Sequence, residues 1–127
     1  MAEPTHEPRC CVIIPAYREQ GRIGKVIHRV RDHITQVVVV DDGSTDKTVA
    51  EAREFGAEVV SHDRNRGKGV ALMTGLRYAR EHGFEVAITM DADGQHNPDD
   101  IPRFLEAYVR TGIPVLIGNR MGDLKRM

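Results

Sequence analysis

The chain has 127 residues, of which 40% are apolar and 29% charged, and its net charge is −1. That length fits one soluble domain, which at this size buries roughly two-thirds of its unfolded surface. The near-neutral balance gives no basic field for nucleic acid, and 5% aromatic residues without tryptophan argue against a base-stacking platform. Residues 1–9, MAEPTHEPR, are polar and read as a flexible N-terminal segment, not as a signal or transit peptide. No apolar run approaches the ~20 residues of a membrane span.

In chain order, CCVIIP (10–15) is a continuous apolar run and predicts a buried strand. Its adjacent cysteines, Cys10 and Cys11, read as buried reduced thiols, which suits the cytoplasm. Ile23, Val26, Ile27, Val30 and Ile34 fall at helical spacing and predict an amphipathic helix over 21–33. VVVV (37–40) predicts a second buried strand. Ser44, Thr45 and Asp46 are candidate N-caps for a helix that runs to about Phe55 and stops at Gly56. AEVVS (57–61) is a third, weaker strand. After the polar loop HDRNRGKG, Val70, Leu72, Gly75, Leu76 and Ala79 predict a helical stripe closed by Gly83. EVAITM (85–90) is a fourth strand. Asn97 and Pro98 open a further helix marked by Ile101, Phe104, Leu105 and Tyr108, and VLIG (115–118) is a fifth strand.

Apolar strands alternating with amphipathic helices predict an α/β fold. It would have about five mainly parallel strands in order 3-2-1-4-5, with helices on both faces and right-handed crossovers. The tail NRMGDLKRM adds no closing element, so residues 10–127 read as a domain truncated at its C-terminal end.

Ligands in such sheets bind beyond the carboxyl ends of the strands, and the polar clusters fall there. Asp91 and Asp93 are two residues apart, so in extended chain they point the same way and repel unless a cation lies between them. With Gln95 they form an oxygen set suited to Mg²⁺ or Mn²⁺; the plainer reading is a solvated turn of helix-capping acids. His96 is either a further ligand or an outward loop histidine. Asp41 and Asp42 follow four valines, placed either to accept hydrogen bonds from a ribose or base edge or to close the DGSTD turn. Asp63 is open to the base-edge role or to pairing with Arg64 or Arg66. NRGKG (65–69) leads into a helix, where Lys68 and helix N–H groups favour an anion, or else it is a plain loop. Neither a Walker A loop nor a GxGxxG fingerprint is present. Arg120 is a phosphate partner or a surface arginine.

Taken together, VIIPAYRE, VVVVDDGSTDKT, NRGKGVAL, MDADGQHNP and IGNR resemble, in order and spacing, the blocks of the family-2 glycosyltransferases of the GT-A fold. The match runs from about residue 11 to 120 and is similar in feel to dolichyl-phosphate and undecaprenyl-phosphate sugar transferases. The resemblance implies a Rossmann-like nucleotide-sugar-binding half. Pro15, Ala16, Tyr17 and Glu19 would line the nucleoside site, with Asp41 and Asp42 on base or ribose. Asp91, Asp93 and Gln95 would hold Mg²⁺ or Mn²⁺ on the diphosphate, and Arg120 would touch the phosphates. The family often has Asn where this chain has Arg18.

The implied reaction is inverting transfer from a nucleoside-diphosphate sugar to a polyprenyl phosphate or glycan acceptor, with Asp93 and Arg120 stabilising the leaving diphosphate. The implied location is the cytoplasm or the cytoplasmic face of a membrane. Acceptor contacts and any membrane contact are expected beyond residue 127, and self-association or missing residues would cover the sheet near 115–117. Two other readings are a nucleotide-sugar-binding fragment without turnover and a response-regulator receiver domain. Against the receiver stand an acidic pair after the second strand rather than the first, a DxD after the fourth, and no Lys-Pro after the fifth.

Overall fold

The computed structural model describes residues 9–92, together with the backbone of 115–118 and 124–126. In chain order the elements are β1 (Cys10–Ala16), α1 (Ile23–Val30), β2 (Val37–Asp41), α2 (Thr48–Glu54), β3 (Glu58–Ser61), α3 (Lys68–Glu81), β4 (Val86–Thr89), β5 (Val115–Gly118) and β6 (Leu124–Arg126).

The core is a parallel sheet in the order β3-β2-β1-β4, flanked by helices. The register sets Val12 beside Val37, Val38 beside Glu58, and Cys11 beside Ala87. At its far side β5 pairs with β4 in parallel, and β6 runs antiparallel to β5. The sequence pattern gave no sign of β6, whose three residues, LKR, carry only one apolar side chain. A receiver-type sheet, in order 2-1-3-4-5, would set its third strand beside the first; here β3 lies outside β2, which sets that reading aside.

Handedness explains the layering. The β1-to-β2 and β2-to-β3 crossovers step the same way, so α1 and α2 share a face; the β3-to-β4 crossover steps back across the sheet, so α3 covers the other. The burial pattern follows. Val12, Ile14, Val37, Val39 and Ile88 pack with Ile23, Val26, Ile27 and Val30 of α1. Cys11, Ile13, Val38, Val40 and Ala87 pack with Ala71 and Ala79 of α3. Strands buried on both faces need unbroken apolar runs, and VIIP and VVVV provide them. Both thiols are free and buried, and burial pushes each up to about 12. Neither is therefore a nucleophile near neutral pH.

The structure corrects two helical expectations. The buried stripe of α3 is Ala71, Gly75 and Ala79, spaced i, i+4, whereas Val70 is 43% exposed. Small residues let α3 lie close against the strands. A Cβ on Gly75 would come 2.4 Å from Ile13 Cγ2 and 3.2 Å from Val40 Cγ2, whereas one on Gly69 meets nothing within 4 Å. Gly75→Ala is therefore expected to lower stability by about 1–2 kcal/mol, overpacking outweighing the helix propensity it gains. Gly69→Ala is expected to raise it by up to about 1 kcal/mol. Urea midpoints of the two variants test this; equal shifts would show that α3 does not need the close approach.

The second correction concerns α2, which begins at Thr48 behind Lys47, a residue that makes no side-chain cap. Asp46 acts from one position further out. Its Oδ1 accepts the Thr48 N–H at 3.0 Å and the Thr48 hydroxyl at 2.5 Å, and these bonds hold its pKa below the ordinary value. Ser44 is used elsewhere, accepting the Arg18 N–H at 2.9 Å.

Candidate functional site

The order of strands turns between β1 and β4, where the crossovers change direction, and the carboxyl ends there splay apart. A cavity of about 400 Å³ opens at this point. Its wall includes Pro15, Ala16, Tyr17 and Glu19 after β1, Asp42 after β2, Lys68 on α3, and Asp91 after β4. These are seven of the residues singled out from the sequence, and residues up to 76 positions apart in the chain, Pro15 and Asp91, are brought into one wall. Asn65 and Gly67 of the NRGKG loop, with Ala71 and Ala92, complete it; no isolated signal marked the two alanines. Asp41 is not part of the wall. It ends β2, 2% exposed, and its Oδ2 accepts the Ser44 N–H at 3.0 Å, closing the turn. Asp63 is an exposed loop residue. Asp93, Gln95, His96 and Arg120, and the predicted helix after Pro98, lie outside the described residues, as do the side chains of 115–117.

The loops that carry the wall are tied to one another. After β1, the Glu19 N–H donates to Thr48 Oγ1 at 3.0 Å, and Glu51 accepts the N–H groups of Gly21 and Gly24 at 2.8 and 2.7 Å. Gln20 Oε1 accepts the Lys47 N–H at 3.1 Å. The segment therefore leans on α2 and turns Tyr17, 40% exposed, toward the cavity mouth. Arg18 has φ of +54°, a left-handed conformation that asparagine tolerates better than most residues. Here Arg18 takes that conformation, and its guanidinium lies 5.3 Å from the Tyr17 ring centroid.

Asp42 is 4% exposed and fully engaged by the protein. Its Oδ1 accepts His62 Nδ1 at 2.9 Å and the Arg66 N–H at 2.8 Å, and its Oδ2 accepts the Gly67 N–H at 2.9 Å. Burial alone would raise its pKa; the bonds from His62, Arg66 and Gly67 outweigh burial and hold it below the ordinary value. His62, missed in the sequence, links onward through Nε2 to Thr74 Oγ1 at 2.9 Å.

Across the cavity, Lys68 Nζ meets Asp91 Oδ1 at 2.5 Å, the side chains being 61% and 23% exposed. Such a surface pair stabilises by about 0–1 kcal/mol at most, so it is easily exchanged. Asp91 fits a hard cation: it offers carboxylate oxygen on the cavity wall, and its partner sits on a long side chain that can move away. Among the described residues no three His, Cys, Asp or Glu side chains converge; two of the three expected ligands, Asp93 and Gln95, lie outside them. Also among the described residues, no helix is long and apolar enough to cross a membrane.

Comparison with known proteins shows the family. The profile described as "Glycosyl transferase family 2" matches residues 11–125. A UDP-N-acetylglucosamine--dolichyl-phosphate N-acetylglucosaminyltransferase of Methanococcus voltae is 33% identical over 90% of this chain and 53% of its own length. An undecaprenyl-phosphate mannosyltransferase of Micrococcus luteus is 38% identical over 88% and 48%. Glucosyl-3-phosphoglycerate synthase from Mycobacterium tuberculosis, solved with Mn²⁺, UDP-glucose and phosphoglyceric acid, superposes with a TM-score of 0.65 at 27% identity, over 83% of this chain and 40% of its own. The chain thus spans about half the length of these curated relatives. It belongs to glycosyl transferase family 2, with a GT-A-like fold.

Proposed function

We propose that this chain forms the donor-binding part of a metal-dependent, inverting glycosyltransferase that uses a nucleoside-diphosphate sugar. The observation that carries the reading is the cavity at the β1/β4 switch point, with an exchangeable Lys68–Asp91 pair on its wall. The named relatives act on dolichyl and undecaprenyl phosphates, which supports a polyprenyl phosphate as acceptor, with a glycan as the other class. Such an acceptor would place the working protein at the cytoplasmic face of a membrane.

The residues divide the work. Pro15, Ala16 and Tyr17 offer an apolar and aromatic wall for the nucleoside, and Glu19 edges it. Asp42, on the wall, would shape the base and ribose end, and Asp41 supports it from behind by closing the 41–44 turn. A divalent cation, Mg²⁺ or Mn²⁺, held by Asp91 with Asp93 and Gln95, would supply Lewis-acid stabilisation of the departing diphosphate. A cation bound at Asp91 would repel the Lys68 ammonium, leaving it a phosphate oxygen of the donor as its natural partner. The α3 N-terminus and Arg120 add fixed positive potential where charge develops. An acceptor phosphate is already anionic, so its attack on the anomeric carbon needs no proton removed.

The reading predicts that one of UDP-, GDP-, CDP- or dTDP-sugars raises the melting temperature, and does so more in Mn²⁺. A radiolabelled-sugar transfer assay with a polyprenyl phosphate then separates turnover from binding. Donor binding without transfer would support a nucleotide-sugar-binding module; no response to any of the nucleotide sugars would oppose the reading as a whole.

A further inference from the structure

The buried histidine behind the cavity has no part in the chemistry just proposed, yet three elements meet on it. His62 follows β3 directly, and its N–H continues the ladder by donating to Asp41 O at 2.8 Å. Its side chain is 8% exposed and that of Asp42 is 6% exposed. One ring nitrogen faces Asp42 after β2, and the other faces Thr74 within α3. An ionised carboxylate can only accept, so Nδ1 carries a hydrogen and donates to Asp42 Oδ1. In the neutral ring Nε2 is then an acceptor, which the Thr74 hydroxyl satisfies by donating.

What the histidine holds matters for the cavity. The same carboxylate accepts the N–H groups of Arg66 and Gly67, the last residues before α3. Gly67 has φ of +101°, and the next residue is Lys68, whose ammonium reaches Asp91. The direction in which the Asp42 carboxylate faces thus fixes the start of α3 and the origin of the Lys68 side chain.

We infer that His62 is a positioning residue of the donor cavity: by donating from Nδ1 it orients Asp42, and through Asp42 it sets the 66–67 turn that aims Lys68. The inference rests on the donor reading, and it makes a prediction that simple core packing does not. Asparagine places an amide N–H near the Nδ1 position but does not reach Thr74, whereas leucine fills the space without a donor.

The test compares His62→Asn with His62→Leu in the same chain. Three readouts are taken: melting temperature, calorimetric affinity for UDP and for GDP in Mn²⁺, and hydrogen exchange at the Arg66 and Gly67 amides. Both variants lose the Thr74 bond, so both should melt lower. Nucleotide affinity should stay within about threefold of the parent in the Asn variant and fall roughly tenfold or more in the Leu variant. The two amides should exchange at least about tenfold faster only in the Leu variant. If Leu does not fold, His62→Gln replaces it, since its amide reaches the Nε2 position instead. Equal affinities and equal amide protection in the paired variants would overturn the inference. If the parent binds neither nucleotide, the donor reading fails, and amide exchange still decides for or against His62.

Discussion

Asp42→Ala should cost about 3–5 kcal/mol of stability at neutral pH, the range for removing one partner of a buried charged network. The substitution leaves His62 Nδ1 and the N–H groups of Arg66 and Gly67 without their acceptor in a site where Asp42 is 4% exposed. Each deserted buried donor costs roughly 1–3 kcal/mol, and water entering the turn returns part of this. A domain is stable by only about 5–15 kcal/mol, so the loss is a large share. The effect also has a pH signature. The folded-state pKa of Asp42 lies below the ordinary value of 3.8, so the ionised form favours the folded chain. That contribution is fully present above 3.8 and is lost as pH falls through the lower folded-state value. Urea unfolding of parent and variant should show a large gap at pH 7 that narrows only below that range. A gap independent of pH would mean that packing, not charge, is what Asp42 supplies.

Removing the ammonium of Lys68 should move two affinities in opposite directions. In the ligand-free chain Lys68 neutralises Asp91 at 2.5 Å. Lys68→Met keeps the length of the stem but removes the charge that competes with a cation. Mn²⁺ alone should therefore bind more tightly, by a few-fold, as read from the loss of free-Mn²⁺ signal in electron paramagnetic resonance. Nucleoside diphosphate affinity in saturating Mn²⁺ should fall by about 10–100-fold, the range for one charge-assisted hydrogen bond. Asp91→Ala should weaken both. A Lys68 variant that loses Mn²⁺ and nucleotide together would show that the lysine supports the site and does not alternate between partners.

The sheet was legible because strands buried on both faces must be continuously apolar, and VIIP, VVVV and VAIT have no other comfortable place. The order 3-2-1-4 followed from handedness and from polar residues gathering at one end of the strands. The cavity wall was legible for the same reason, since Tyr17, Asp42, Lys68 and Asp91 each come just past a strand or at the start of a helix. Less could be read where several side chains share one atom. Nothing in DDGSTD distinguishes Asp41, which closes its own turn, from Asp42, which holds a loop more than 20 residues away. His62 stands in a polar, aperiodic stretch, and its partners are 20 and 12 positions distant, so only the folded chain shows what it does. The α3 stripe was read in part: Gly75 and Ala79 lie on the buried face as expected, but close packing on a sheet selects small residues, so Ala71, with little hydropathy signal, was missed and the exposed Val70 was included.

The central claim is that the β1/β4 cavity holds a nucleoside diphosphate through Asp91 and a divalent cation. Calorimetric titration of UDP- and GDP-sugars, with and without Mn²⁺, into the parent, Asp91→Ala and Asp46→Ala tests it directly, because Asp46 caps the start of α2 and is not part of the cavity wall. The predicted result is Mn²⁺-dependent binding of at least one nucleotide sugar by the parent and Asp46→Ala, weakened roughly 100-fold in Asp91→Ala. Binding that is indifferent to Mn²⁺, or equal in Asp91→Ala and the parent, would contradict it.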